Sequence, residues 1–350
     1  MNAQPEFGPR PAKAGSAIDD ATVWRAEDFP DDRSWVHGLD EACVTELLGA
    51  ARKARKTNVT PHELTPKSFP LSRSGALIEQ MHHEIESGPG FALLSGFPVD
   101  QLNGEELNYA YCGFCSHFGD ITVQNREGEF ILEVTDKGKG YDINTRGYHS
   151  TAHLDFHNDG TNIVTLLCVD TAAQGGESML VSGTAVYNTI LAERPEHLTA
   201  LHRGFHHHRR DQKNPGDEPV TPYRTPVFGF FQDLFHLAYA GPSIRYCEQE
   251  GIPISAEEKA ALNFFVEVTE RPQMRVSMEL RRGDIQFVNN YLLLHARTEY
   301  RDSETQRRKL LRLWLDDKSS ARLGPGKMDW YMPHVSRFTQ LGGVASLEHS

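Results

Sequence analysis

From Phe130 onward the chain is a succession of short apolar runs broken by turns: Phe130–Val134, Ile163–Val169, Ser178–Val181, Pro226–Phe231, Ile285–Val288 and Leu310–Leu315. Runs of this length, rich in β-branched and aromatic residues and bounded by Gly, Pro, Asn or Asp, read as strands. Only two stretches with helical spacing, Tyr187–Leu201 and Ala256–Glu270, interrupt them. A regular alternation of strand and helix, which would build a parallel sheet, is therefore absent, and the pattern points to a sandwich or barrel with helices attached. The first third adds helices. Leu39–Lys56 ends in basic residues, as a helix C-terminus favours. Ser74–Ser87 is stopped by Gly88-Pro89-Gly90. Gly104–Phe118 is a third helix, and Phe91–Leu94 a short buried strand between the second and third. The expected class is mainly β with helical decoration. No internal repeat or long low-complexity linker divides the chain, so one domain over residues 21–350 is expected, after a mobile tail over 1–20 that is rich in Pro, Ala and Gly.

Charge narrows the partners. Thirty-six Lys and Arg against 48 Asp and Glu leave a net charge of −12. A nucleic-acid surface needs clustered cations, and the one basic run, Arg307-Arg308-Lys309, is too short to supply them. No stretch reaches the roughly 20 apolar residues that span a bilayer. Five cysteines in 350 residues make no disulfide framework. These features suit a cytoplasmic protein acting on a small molecule, with no nucleic acid and no membrane, and they leave a homo-oligomer open.

Chemistry enters at Phe156-His157-Asn158-Asp159-Gly160. In an extended segment residues two apart point the same way, so His157 and Asp159 can converge on one ion. Two histidines and one carboxylate on one face of a metal leave three positions open, the arrangement of non-haem Fe(II) oxygenases. The distant third ligand is expected at His295, just after the strand-like run Gly283–Asn290. A second His-x-Asp, His153-Leu154-Asp155, lies immediately upstream and would share the same face if the whole stretch were extended. A polar strand lip is the plainer account of that pair, and the glycine after Asp159 favours His157/Asp159.

In Gln306–Leu315, strand alternation puts Lys309, Leu311, Leu313 and Leu315 on one face and Arg308, Leu310, Arg312 and Trp314 on the other. Guanidinium groups on a buried face demand anionic partners. Arg308 and Arg312 would sit about 13 Å apart at about 3.3 Å per residue, which suits two anions better than one. The plainer reading is a pair of structural salt bridges, with Asp284 or Asp142 as partners for Arg312.

Taken in order, His-x-Asp, Gly175-Gly176-Glu177-Ser178, His295 and Arg308-x-x-x-Arg312 resemble the taurine dioxygenase-like (TauD/TfdA) family of Fe(II)/2-oxoglutarate enzymes, over about Phe91–Leu315. The resemblance implies a double-stranded β-helix, or jelly roll, with iron on His157, Asp159 and His295. Arg308 is then the residue that grips the 5-carboxylate of 2-oxoglutarate, supported by Ser178. Arg312 falls where several members meet an anionic substrate, and Asn158 and Tyr148 are further candidates for substrate contact. Retention of Asp159 argues against the halogenating relatives. The expected reaction uses 2-oxoglutarate and O₂ to oxidise, by default hydroxylate, a small anionic substrate, releasing succinate and CO₂. A jelly-roll dioxygenase that does not use 2-oxoglutarate and a silent jelly-roll binding protein are the alternatives, and consumption of 2-oxoglutarate under air with Fe(II) separates them.

Other signals have plainer accounts. His206-His207-His208 alternates faces in a strand and lacks a third ligand nearby. Cys112-Gly113-Phe114-Cys115 has neither the second pair of a zinc ribbon nor the βαβ setting of a redox site, and reads as core. Tyr148, Trp314 and Phe228 are aromatic candidates for a pocket wall.

Overall fold

A computed structural model describes residues 11–30, 33–125, 127–138, 147–213 and 216–322, without the side chain of Tyr148. The larger of two main sheets holds β1 (His37–Gly38), β2 (Phe91–Ser95), β3 (Asp120–Thr122), β4 (Leu132–Val134), β6 (Ile163–Asp170), β12 (Ile285–Asn289) and β15 (Lys309–Asp316). Its order is β1-β2-β12-β6-β15-β3, with β4 also paired to β15. The smaller sheet runs β11 (Arg275–Met278), β8 (Ser178–Ser182), β13 (Leu293–Arg297), β5 (Leu154–His157). Two short pairs complete the set, β9 (Phe228–Phe231) with β10 (Leu234–Leu237) and β7 (Gln174–Gly175) with β14 (Tyr300–Arg301). From β5 onward the chain passes repeatedly from one main sheet to the other.

Alternation along the large sheet separates two cores. Leu311, Leu313 and Leu315 of β15, with Ile163 and Leu167 of β6 and Ile285 and Phe287 of β12, face a core shared with α1 (Glu41–Ala54), α2 (Gly75–Ser87) and α3 (Gly104–Cys115). Leu310 and Trp314 of β15, Val164 of β6 and Val288 of β12 face the opposite way, toward the small sheet. Behind the small sheet the same core takes in α4 (Gly183–Glu193), α5 (Glu196–Arg203) and α7 (Ala256–Glu270), while the short α6 (Gly241–Tyr246) follows β10. With cover on both faces, every residue of β8, β12 and β13 is buried.

The class expected from the sequence, mainly β, needs correction: helix holds more residues than strand, and the fold is mixed. Covering both faces of two sheets requires two helical layers. The stretch Tyr187–Leu201, expected as one helix, is two, because Pro195 lacks an amide hydrogen and its ring cannot continue α4. Strands β5, β11 and β13 were not distinguished in the sequence. Residues 15–18, inside the expected mobile tail, lie against α4: the Gly15 amide donates to the Tyr187 hydroxyl at 2.7 Å, and the Asn188 side chain brackets Ile18, accepting from its amide and donating to its carbonyl. Residues 1–10 of that tail lie outside the described residues. No helix among the described residues is long and apolar enough to cross a membrane.

Leu313 is fully buried on the helix-facing side of β15. Leu313→Ala should cost about 2–5 kcal/mol, read as a lower denaturant midpoint at unchanged slope. A midpoint unmoved by this substitution would contradict the division of the core into two.

Candidate metal centre

The centre forms where the small sheet meets the inner face of β15. His157 ends β5 and pairs across the ladder with His295 of β13, with ring centroids 4.4 Å apart. Between His295 and Arg297 the register slips, so that Arg297 opposes Leu154 and the intervening three-residue step of β5 faces a two-residue step of β13. Such a bulge re-aims side chains. Leu154 and His157 both line the cavity, while Asp155 turns out to solvent. The four residues His153, Asp155, His157 and Asp159 therefore do not share a face. His153 and Asp155 are exposed, 3.8 Å apart, and Asp155 lies 3.5 Å from Arg245. Outward rotation also leaves the Asp155 carbonyl 2.8 Å from His157 Nδ1. Donation from Nδ1 to that carbonyl leaves Nε2 as the lone-pair nitrogen.

Asp159 lies just past β5, its amide donating to Asn290 Oδ1 at 3.2 Å. Its Oδ2 accepts from Arg312 Nη1 and Trp314 Nε1, each at 3.1 Å, and lies 3.9 Å from His295 Nε2. Burial alone would raise its pKa; the positive charge of Arg312, with smaller electrostatic contributions from the neighbouring His295 and His157, outweighs burial and holds it at about 2. The carboxylate is thus ionised at neutral pH. One donor atom from each of His157, Asp159 and His295 falls within 4.8 Å of the others, the one group of this kind among the described residues. The donor set, two imidazoles and one carboxylate, fits Fe(II).

From the sequence alone the partner of Arg312 stays open. In the structure it has Asp159 and also Gln124, whose Oε1 accepts from Arg312 Nε at 2.8 Å and whose Nε2 donates to the Arg312 carbonyl. Asp284 pairs instead with Arg33, and Asp142 lies outside the described residues. Asn158 requires a correction. Its side chain faces away from the cavity: Nδ2 donates to the carbonyls of Asn290 (3.0 Å) and Leu293 (2.5 Å), and Oδ1 accepts from the Tyr239 amide (2.8 Å). Alternation that turns His157 and Asp159 inward turns Asn158 into the core, where it holds the backbone and does not face the cavity. The side chain of Tyr148 lies outside the described residues. Phe228 is core, and Trp314 acts through Asp159.

Ser178, on β8, and Arg308, at the entry to β15, line the same cavity from different sheets. The Ser178 hydroxyl donates to Gln286 Oε1 at 3.0 Å. Arg308 is buried, its guanidinium 5.1 Å from the Tyr300 ring centre, and its Nη1 has no partner among the described residues. Burial pulls its pKa down. A buried guanidinium with an unused donor fits the carboxylate of a cosubstrate. The Gly-Gly turn before Ser178 is a steric necessity: Gly175 and Gly176 sit at φ 72° and 81°. A Cβ on Gly175 would collide with the Glu299 carbonyl, and one on Gly176 would lie 3.0 Å from Arg308 Nε.

Arg297, which lines the cavity, and Gln124, which braces Arg312, were not singled out from the sequence. Arg297 follows His295 by two positions on β13, so strand alternation would have found it had that strand been recognised. Of the other histidines and cysteines, His207 is buried with its pKa lowered to about 3 by desolvation, His206 Nδ1 lies 2.8 Å from the Thr221 carbonyl, and His208 Nε2 lies 3.4 Å from Glu250. Cys112 and Cys115 are fully buried, with thiol pKa values pushed up by desolvation.

With this geometry in place, the comparisons with known proteins agree. The chain belongs to the taurine catabolism dioxygenase TauD, TfdA family, whose pattern matches residues 57–314. It is 33% identical over 309 residues to FR-33289 synthase of Streptomyces rubellomurinus, covering 84% of this chain and 89% of that one. Its fold is similar to that of asparagine oxygenase in complex with Fe(II), 3-hydroxyasparagine and succinate, with a TM-score of 0.65 at 17% identity over 81% of this chain and 94% of the other. It is also similar to the non-haem iron oxygenase OrfP with Fe and α-ketoglutaric acid, with a TM-score of 0.60 at 11% identity over 85% and 99%. The protein is an Fe(II)/2-oxoglutarate-dependent dioxygenase.

Asn158→Ala would strand a buried amide and two carbonyls, at a cost of about 1–3 kcal/mol. It should lower the melting temperature and the Fe(II) retained after desalting together. Unchanged stability would refute the structural role of Asn158.

Proposed function

We propose that His157, Asp159 and His295 hold the iron and that Arg308 with Ser178 receives the distal carboxylate of 2-oxoglutarate. The observation that carries this is the convergence of three donors beside a buried arginine whose Nη1 has no partner among the described residues. Bound iron and 2-oxoglutarate supply an oxidant from O₂, so that cosubstrate becomes succinate and CO₂ while a substrate C–H becomes C–OH. The protein's own contribution is positioning. Arg312 and Trp314 both donate to Oδ2 of Asp159, which fixes the orientation of the carboxylate beside the two imidazoles that would hold the ion with it. The Asp155 carbonyl fixes the His157 ring, and Val134, Val164, Leu166 and Leu310 line the cavity with apolar surface.

The passage of the chain between two facing sheets supports the double-stranded β-helix, and two cores built on one sheet support the single domain proposed for residues 21–350 as far as residue 322, beyond which the chain lies outside the described residues. Buried, free cysteines suit a reducing compartment, the cytoplasm. The substrate is a small organic anion. Three arginines, Arg297, Arg308 and Arg312, line the cavity against the single carboxylate of Asp159. Iron adds two positive charges and 2-oxoglutarate two negative ones, so the loaded site keeps an excess of positive charge.

His157→Ala or His295→Ala should abolish both stoichiometric Fe(II) binding and succinate formation; full activity in either variant would sink the ligand assignment. Arg308→Gln should raise the 2-oxoglutarate KM roughly ten- to a hundredfold, the value of a lost charge-assisted hydrogen bond. An unchanged KM would place that carboxylate elsewhere.

Arg312→Gln has a separate expected outcome. Because the arginine holds Asp159, iron affinity and substrate-free 2-oxoglutarate consumption should fall together. If iron retention and that consumption persisted while product formation alone was lost, Arg312 would be a substrate contact instead.

A further inference from the structure

Two arginines of this cavity, one on β13 and one just before β15, carry buried donors with no partner among the described residues. Arg297 lies directly across the ladder from Ser178 in the pairing of β13 with β8. Directly opposed residues point to the same face with Cβ atoms about 4.5–5.5 Å apart. Arg297 and Ser178 accordingly line the cavity side by side, and Arg308 reaches it from the other sheet.

The guanidinium of Arg297 is anchored on one side and open on the other. Its Nη2 donates to the carbonyls of Ser150, at 2.8 Å, and Ala152, and its Nε lies 3.3 Å from the Thr298 carbonyl. Its Nη1 is buried and has no partner among the described residues, as is true of Arg308 Nη1. Both guanidinium groups lie against the ring of Tyr300, at 4.7 Å and 5.1 Å from its centre. Neither forms a salt bridge among the described residues. An arginine guanidinium is not deprotonated in a protein, so both groups carry their charge in the cavity. Asp136 acts on the Arg297 guanidinium and Asp302 on that of Arg308 only through space, so a carboxylate held between the two guanidinium groups would offset the cost of burying them. A carboxylate has two oxygens and about four acceptor sites, enough for an Nη1–H from each arginine and for the Ser178 hydroxyl once it rotates away from Gln286 Oε1.

We propose that Arg297 is a second grip on the distal carboxylate of 2-oxoglutarate, acting with Arg308 and Ser178, and that this double grip sets the preference for a 2-oxo dicarboxylate over a 2-oxo monocarboxylate. The proposal rests on the reading of Arg308 and Ser178 as the cosubstrate end of the site. It makes Arg297 a specificity residue that also ties the segment before β5 to the cosubstrate, through the carbonyls of Ser150 and Ala152.

The test is anaerobic calorimetric titration of the Fe(II) protein with 2-oxoglutarate and with 2-oxopentanoate, which has the same chain length and a methyl group in place of the distal carboxylate. Wild type should prefer the dicarboxylate strongly. Arg297→Gln should reduce that preference roughly tenfold or more, through 2-oxoglutarate alone, with 2-oxopentanoate affinity within about twofold of wild type. Arg297→Lys, which keeps the charge and loses the fork, should recover part of the preference. An Arg297→Gln protein with undiminished preference, or with both acids weakened equally, would overturn the proposal and leave Arg297 as an anchor for residues 150–152. Arg308→Gln run in parallel separates the levels: if it reduces the preference and Arg297→Gln does not, only the second grip fails. If neither does, the cosubstrate reading fails with it.

Discussion

Asp159 is a carboxylate kept ionised inside the protein, and the ion pair that allows this joins the two sheets. The residue follows the end of β5 in the small sheet, while Arg312 and Trp314, which bond its Oδ2, belong to β15 in the large one. A buried carboxylate without a cation would take up a proton and lose its value as a metal ligand. Gln124 takes the remaining direction of the Arg312 guanidinium and returns a bond to the Arg312 backbone, so the pair's geometry is set by β15 as well. Moving either sheet relative to the other would leave two opposite charges buried and apart, which costs far more than the pair itself contributes.

That pair depends on the division of β15 into two faces. Leu311, Leu313 and Leu315 fill the helical core, and this burial fixes which way Arg312 and Trp314 must point. A slip of one residue would exchange leucines for arginines on the helix side. The strand is paired along its length to β6 and at its two halves to β4 and β3, which makes such a slip difficult. The apolar side of the strand thus determines the chemistry of the other side, although no leucine of that side touches the site.

This alternation was legible in the sequence because Lys309–Leu315 is a regular strand. The convergence of His157 and Asp159 was legible for a similar reason, from their spacing of two, whereas Ser178 and Arg308 were picked out by the resemblance to the family and not by spacing. The faces of His153 and Asp155 were not legible, because a bulge between β5 and β13 depends on the partner strand and leaves no local mark. Strand β13 went unrecognised because Leu293–Arg297 has none of the polar alternation of a half-buried strand; it is buried on both faces. Arg297 was lost along with it. The balance of helix and strand was misjudged for a related reason, since helices that cover sheets announce themselves only by their own periodicity, and α5 is short and interrupted from α4 by a proline.

Asn158 shows how little freedom is left to the metal ligands. It sits between two of them and spends its whole side chain on backbone, two carbonyls of the segment leading into and along β13 and the amide of Tyr239. The carbonyl of Leu293 lies two residues before His295 on the same strand. A single amide group therefore ties the backbone of His157 and Asp159 to the strand that carries His295, and Asn290 adds a bond to the Asp159 amide. The spacing of two between His157 and Asp159 is then more than a way of pointing both side chains inward. It leaves one intervening side chain pointing into the core, where its amide joins the two halves of the centre from behind the ligands.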